Sequence, residues 1–188
     1  MKKQKRLSAF PLSLLVLLCC AVSMGALTAT GHRARAASQS AEIKLRVGTY
    51  DPRAIAAAYA RSDLWNKQLA GKMQEHKQAK ADGDEKKVKE LEAWGDAQQR
   101  RLHRQGFGNE PVDNILAFIK DDLPKVAQDA KVVLIVPKAD WHDEASVEVV
   151  DVTDRMVDCF NPTAQTRQVI AELRKHAPVD LGELDKQH

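Results

Sequence analysis

Cysteine is scarce in this 188-residue chain. Cys19 and Cys20 fall within the first 36 residues, so Cys159 stands alone beyond them and no internal disulfide is available there. Acidic side chains are missing from those 36 residues altogether. Proline is missing from Ala54 to Gln105, and that stretch has almost no β-branched run. The signatures of common chemistries are also lacking. No serine sits in a glycine elbow, and Cys159 shares a predicted short helix with Val157 and Phe160 rather than an electropositive pocket. Gly106-Phe107-Gly108 lacks the lysine and the preceding strand of a phosphate cradle. No catalytic residue and no cofactor is assigned, and no internal repeat or low-complexity tract is present.

What the first 36 residues do hold is Lys2, Lys3, Lys5 and Arg6, an apolar run from Phe10 to Val22, and small residues after it. This is the three-part pattern of a secretory signal, with cleavage placed after Gly25 or after Ala36. An uncleaved anchor is the other reading, since the run can be stretched to Ala29. The leader takes six of the 29 Lys and Arg, which leaves 23 against 26 Asp and Glu. The exported part is therefore mildly acidic, and the basic footprint of a general nucleic-acid binder is missing.

Ala, Leu, Lys, Glu and Gln dominate from Ala54 to Gln105, all residues that lose little rotamer freedom in a helix. The apolar positions Ile55, Tyr59, Trp65, Leu69 and Met73 going out, and Val88, Leu91, Trp94 and Leu102 returning, form a seam too narrow for a core helix. An antiparallel coiled-coil-like hairpin folded at Ala81-Asp82-Gly83-Asp84 is predicted. Its first helix starts at Asp51-Pro52 and runs to about Lys80, a reach of about 40 Å. Gln105 to Pro111 is rich in breakers and predicts a joint, with Gly106 and Gly108 as the hinge.

Strands are predicted at Glu42–Thr49, at Lys131–Val136 and at Ser146–Val150. In the first, Ile43, Leu45 and Val47 are read as one face and Lys44, Arg46 and Gly48 as the other. Val112 to Ala130 has helical spacing of apolar residues and is placed on the body, with a restart at Pro124. Short helices follow Asp151 and Thr163, and residues 177–188 read as a loose tail. The expected class is α+β: a small antiparallel-type β body, a long projecting helical hairpin and C-terminal helices.

This order, together with VGTYDPRAIAAAYARS at the strand-to-helix opening and VVDVTDRMV near the end, resembles the Skp/OmpH-like periplasmic chaperones over most of residues 42 to 176. The resemblance implies a periplasmic trimer with a small β-barrel-like body. Helical arms, here residues 53 to 130, would hold unfolded outer-membrane polypeptides without ATP. The chain departs from the family in its mildly acidic charge and in its interrupted return helix.

The client-binding candidates are Tyr59, Trp65, Leu69, Met73 and Trp94 on the apolar seam, with Arg100, Arg101 and Arg104 as a basic cluster. That cluster could meet acidic client segments or an anionic membrane surface. A solvated charged face and the hairpin's own packing seam are the plainer readings of the same residues. His76, His103 and His142, the last in Asp140-Trp141-His142-Asp143, match no metal-ligand spacing, and no metal is expected. Two functions are consistent with this pattern: an exported ATP-independent holdase for unfolded polypeptides, and an envelope scaffold whose hairpin binds one dedicated partner.

Overall fold

The computed structural model describes residues 44–139 and 142–186. The leader, the start of the predicted first strand, and Asp140 and Trp141 of the loop before the third strand lie outside them.

Three short strands, β1 (Leu45–Tyr50), β2 (Leu134–Pro137) and β3 (Val147–Asp151), form a sheet in the order β2-β1-β3. Both outer strands run parallel to β1, which overturns the antiparallel body expected from the sequence. The reason lies in the connections. Between β1 and β2 the chain spends residues 51–133 in helices and turns, ample for the crossover that a parallel pair needs. Between β2 and β3 it spends residues 138–146, enough extended chain (about 30 Å) to return along a strand of about 17 Å. β2 and β3 never meet as a hairpin, because β1 lies between them.

The alternation of β1 is present but its faces are exchanged. Gly48 and Tyr50 look into the core with Ile135 and Val150. A Cβ on Gly48 would come 3.1 Å from Val132 Cγ2 and 3.3 Å from both Ile135 Cγ1 and Val152 Cγ1. A glycine is what lets those three side chains converge on the strand. Leu45 and Val47 lie on the opposite face with Leu134, Val136, Val147 and Val149, and none of these belongs to the core cluster.

The first predicted helix is two. α1 (Pro52–Ala60) and α2 (Asp63–Asp82) are separated at Arg61-Ser62, where the Ser62 hydroxyl donates to Tyr59 O (2.7 Å) and accepts from Trp65 N (3.3 Å). A side chain that caps the new helix competes with continuation of the old one. α1 is the core helix, buried from Arg53 through Tyr59 and packed against α6 (Thr153–Asp158) and α7 (Ala164–Leu173). Asp51 caps it, accepting from Arg53 N at 2.9 Å while the buried Arg53 guanidinium grips the same carboxylate at 3.1 and 2.8 Å.

α2 and α3 (Glu85–Phe107) form the hairpin, turned by Gly83 in the left-handed conformation (φ 72°) and restarted by Asp84, which accepts from Lys87 N at 2.9 Å. The projecting arm is thus residues 63–107, not 53–130. α4 (Asp113–Leu116) and α5 (Leu123–Ala130) lie on the body through Ile115, Ile119 and Val126, with Pro124 in the first turn of α5. The tail expected to be loose is docked. α8 (Leu181–Asp185) buries Leu184 to 3% exposure, and Val179 N donates to Phe107 O at 2.8 Å.

Candidate functional site

A solvated hairpin of this composition needs only a minimal seam to hold its helices together, so what lies beside the seam is informative. Of the 20 residues of α2 only Ala79 is buried, and of the 23 of α3 only Leu91 and Gln105. Trp65 stacks on Trp94 with ring centroids 6.2 Å apart and planes at 24°, and meets Tyr59 at 5.7 Å. Lys72 Nζ stands 6.0 Å from the centroid of Trp94. Alongside these contacts a groove of about 750 Å³ opens between Leu69 and Met73 of α2 and Leu91 and Trp94 of α3. A second, of about 620 Å³, lies at the root of the hairpin, where Trp65, Leu102 and Phe107 face Ala57 and Leu173. Met73 and Phe107 remain 64% and 48% exposed.

The structure therefore brings Trp65, Leu69, Met73 and Trp94 together along these grooves. Tyr59 does not join them: it is 4% exposed, packed against Phe118 and Phe160, with its hydroxyl 2.8 Å from Gln68 Oε1. Arg100 and Arg101 are exposed and line neither groove. Arg104 is committed to Glu110 and to both oxygens of Asp185 (2.6 Å), which ties α8 to the hairpin root.

The Gly-Phe-Gly joint is not a free hinge. Gly106 lies inside α3 with no neighbour near its missing side chain, whereas a Cβ on Gly108 would meet Leu181 Cδ2 at 2.4 Å and Arg104 O at 2.8 Å. Gln105, 1% exposed, donates from Nε2 to Pro111 O and to Asn114 Oδ1, both at 2.7 Å. These bonds and α8 lock the root. Sequence reasoning missed the lock, although Asp180 ahead of Leu181 and Leu184 is an N-cap followed by an i, i+3 apolar pair.

His76 Nε2 is 3.3 Å from Glu92 Oε1, and His103 packs edge-on against Phe107 at 4.8 Å. Among the described residues no group of three or more His, Cys, Asp or Glu is placed to hold a metal ion. Burial first, and then Asp122 and Asp158, push the Cys159 thiol up from its ordinary pKa, the opposite of what activates a nucleophile.

At the carboxyl ends of the strands a polar cavity of about 400 Å³ is lined by Asp51, Arg53, Asp151, Thr153 and Arg174. Partial desolvation acts to raise the Asp151 carboxyl, but the Thr153 hydroxyl and N–H (2.9 Å) and the Arg174 guanidinium outweigh it and hold the carboxyl below its usual range. A carboxyl lowered in the folded state stabilises the fold above its unfolded pKa and ceases to do so as pH falls through the folded value. Unfolding free energy should therefore fall on acidification below about pH 4, and urea titrations of Asp151→Asn should show a shallower fall over that range.

Comparison with protein-family models, with curated proteins and with solved structures finds no match to this chain.

Proposed function

We propose that the protein is an exported, ATP-independent holdase that binds unfolded outer-membrane polypeptides along its helical hairpins, as a homo-oligomer and, by resemblance, a trimer. The observation that carries this reading is the hairpin itself. A 20-residue helix and its 23-residue partner extend from the body with large apolar side chains beside their seam and grooves of about 750 and 620 Å³ left open. A hairpin that only linked two parts of the body would have no use for that length or for that uncovered apolar area. The element order and the VVDVTDRMV segment add the family likeness, and the signal-like pattern of the first 36 residues supports export. Among the described residues no helix is long and apolar enough to cross a membrane.

Oligomerisation is supported by the outer face of the sheet. Parallel sheets are ordinarily covered on both faces, yet here Leu45 and Leu134 are each 51% exposed and Val149 37%. A second copy seated there would cover them. Leu134→Glu places a carboxylate on that face at the start of the edge strand β2, and should convert the oligomer to monomer in multi-angle light scattering at micromolar protein. An unchanged mass would remove the sheet face from the interface.

The reading as a whole is tested by diluting a urea-unfolded outer-membrane protein into buffer with and without the intact chain. Stoichiometric suppression of light scattering without nucleotide is expected, and no suppression would overturn the proposal.

A further inference from the structure

The two grooves of the hairpin adjoin and are taken together as a trough. They share Leu69, Trp94 and Gly95, so the apolar floor runs on from the hairpin root to its middle. Gly95 lies at their meeting point, inside α3, with no heavy atom within 4 Å of where its Cβ would be. A glycine in a helix interior costs about 1 kcal/mol relative to alanine, and no close backbone approach or positive φ explains this one. A side chain at this position would enter open space where the two grooves adjoin.

The rim has a sign. Arg61, Lys72, Lys77 and Lys80 border the trough against Glu92 and Asp96. Lys72 and Lys80 are shared with Glu75 and Glu92, whereas Arg61 at the root end and Lys77 at the outer end have no ion-pair partner among the described residues. From Phe107 back to Leu91 the floor covers sixteen helical rises, about 24 Å, which matches about seven residues of extended chain.

We infer that the trough binds one extended peptide segment of about seven residues in which apolar side chains, set on the Trp94 and Leu69 floor, alternate with carboxylates that meet Arg61 and Lys77. This rests on the hairpin being the client-binding element and names the client chemistry that it selects. It also reconciles a mildly acidic protein with acidic ligands, because the selecting charge is local to the rim.

The probe is a fluorescein-labelled heptapeptide alternating Leu or Phe with Glu, compared with its lysine counterpart by anisotropy against the full chain. The acidic peptide should bind at least tenfold more tightly, and Trp65 and Trp94 emission should change on binding. Gly95→Leu should weaken binding at least tenfold while leaving the melting temperature unchanged or higher, since leucine is the better helix former and has open space to enter. Arg61→Glu with Lys77→Glu, both exposed, should reverse the peptide preference. Equal affinity of wild type for the two peptides, or an unreversed preference in the double variant, would overturn the inference. Peptide binding without suppression of aggregation would overturn the holdase reading alone. Suppression with no discrimination between the peptides would overturn the trough alone.

Discussion

Replacing residues 70–97 by a short Gly/Ser turn should leave a folded protein that no longer suppresses aggregation at all. The excised part contributes nothing to the core: Trp65 and Leu102 are the outermost hairpin residues that touch it, and every other member lies elsewhere in the chain. Its own burial is confined to Ala79 and Leu91. The cut ends are two neighbouring helices, about 8–10 Å apart, which four flexible residues can bridge. The excised part does carry Met73, Leu91, Trp94 and Gly95, hence the outer groove and the midpoint of the floor. Circular dichroism should therefore show cooperative melting of the shortened chain, while light scattering of the unfolded client matches the no-chaperone control. Retained suppression would mean that clients bind the body.

The opposite dissociation is expected at Ile55. This side chain is fully buried on α1, the helix that α3, α6 and α7 all pack against, so its removal leaves a void that no single neighbour can fill. Ile55→Ala should cost about 2–5 kcal/mol in urea denaturation, against about 0.5–1.5 kcal/mol for Ile55→Val. Below its unfolding transition the alanine variant should still bind clients, because Ile55 lines neither groove. Leu69→Ala provides the contrast: its half-exposed position should cost little stability and much binding.

The long-range geometry was legible where local chemistry writes it. The turn at Gly83, the stacking of Trp65 on Trp94, and Leu69 and Met73 set against Leu91 and Trp94 could be read from spacing, while the sequence left the cap of the return helix open between Asp82 and Asp84 and the structure uses Asp84. The break at Ser62 was also written, in a serine three residues before Trp65. It was overlooked because the helical composition on both sides is uninterrupted. Strand direction was not written at all. Apolar runs at Leu134 and Val147 specify that strands form, but pairing direction follows from where the intervening chain returns, which only the packed helices decide. The facing of β1 failed for a similar reason. Counting apolar residues favours Leu45 and Val47 as the inner face, yet Gly48 is inner because Val132, Ile135 and Val152 need the space it leaves. The face carrying more apolar side chains, with Leu45, Val47, Leu134 and Val149, is the one that lies outside the core cluster.

The site was legible in part. Trp65, Leu69 and Trp94 line the root groove, and Leu69, Met73 and Trp94 the outer one, because helical spacing sets them along the hairpin seam. Tyr59 and Arg104 fell away because of contacts distant in sequence, to Phe118 and Phe160 in one case and to Asp185 in the other.

The claim that clients lie along the hairpin is tested most directly by a photo-crosslinking residue placed at Met73, which is exposed beside the trough, with a second at Gln128 on the exposed side of α5 as the body control. Irradiation in the presence of an unfolded outer-membrane polypeptide should join it to position 73 and leave position 128 free. Absent crosslinks at 73, or equal yields at the two positions, would contradict the account.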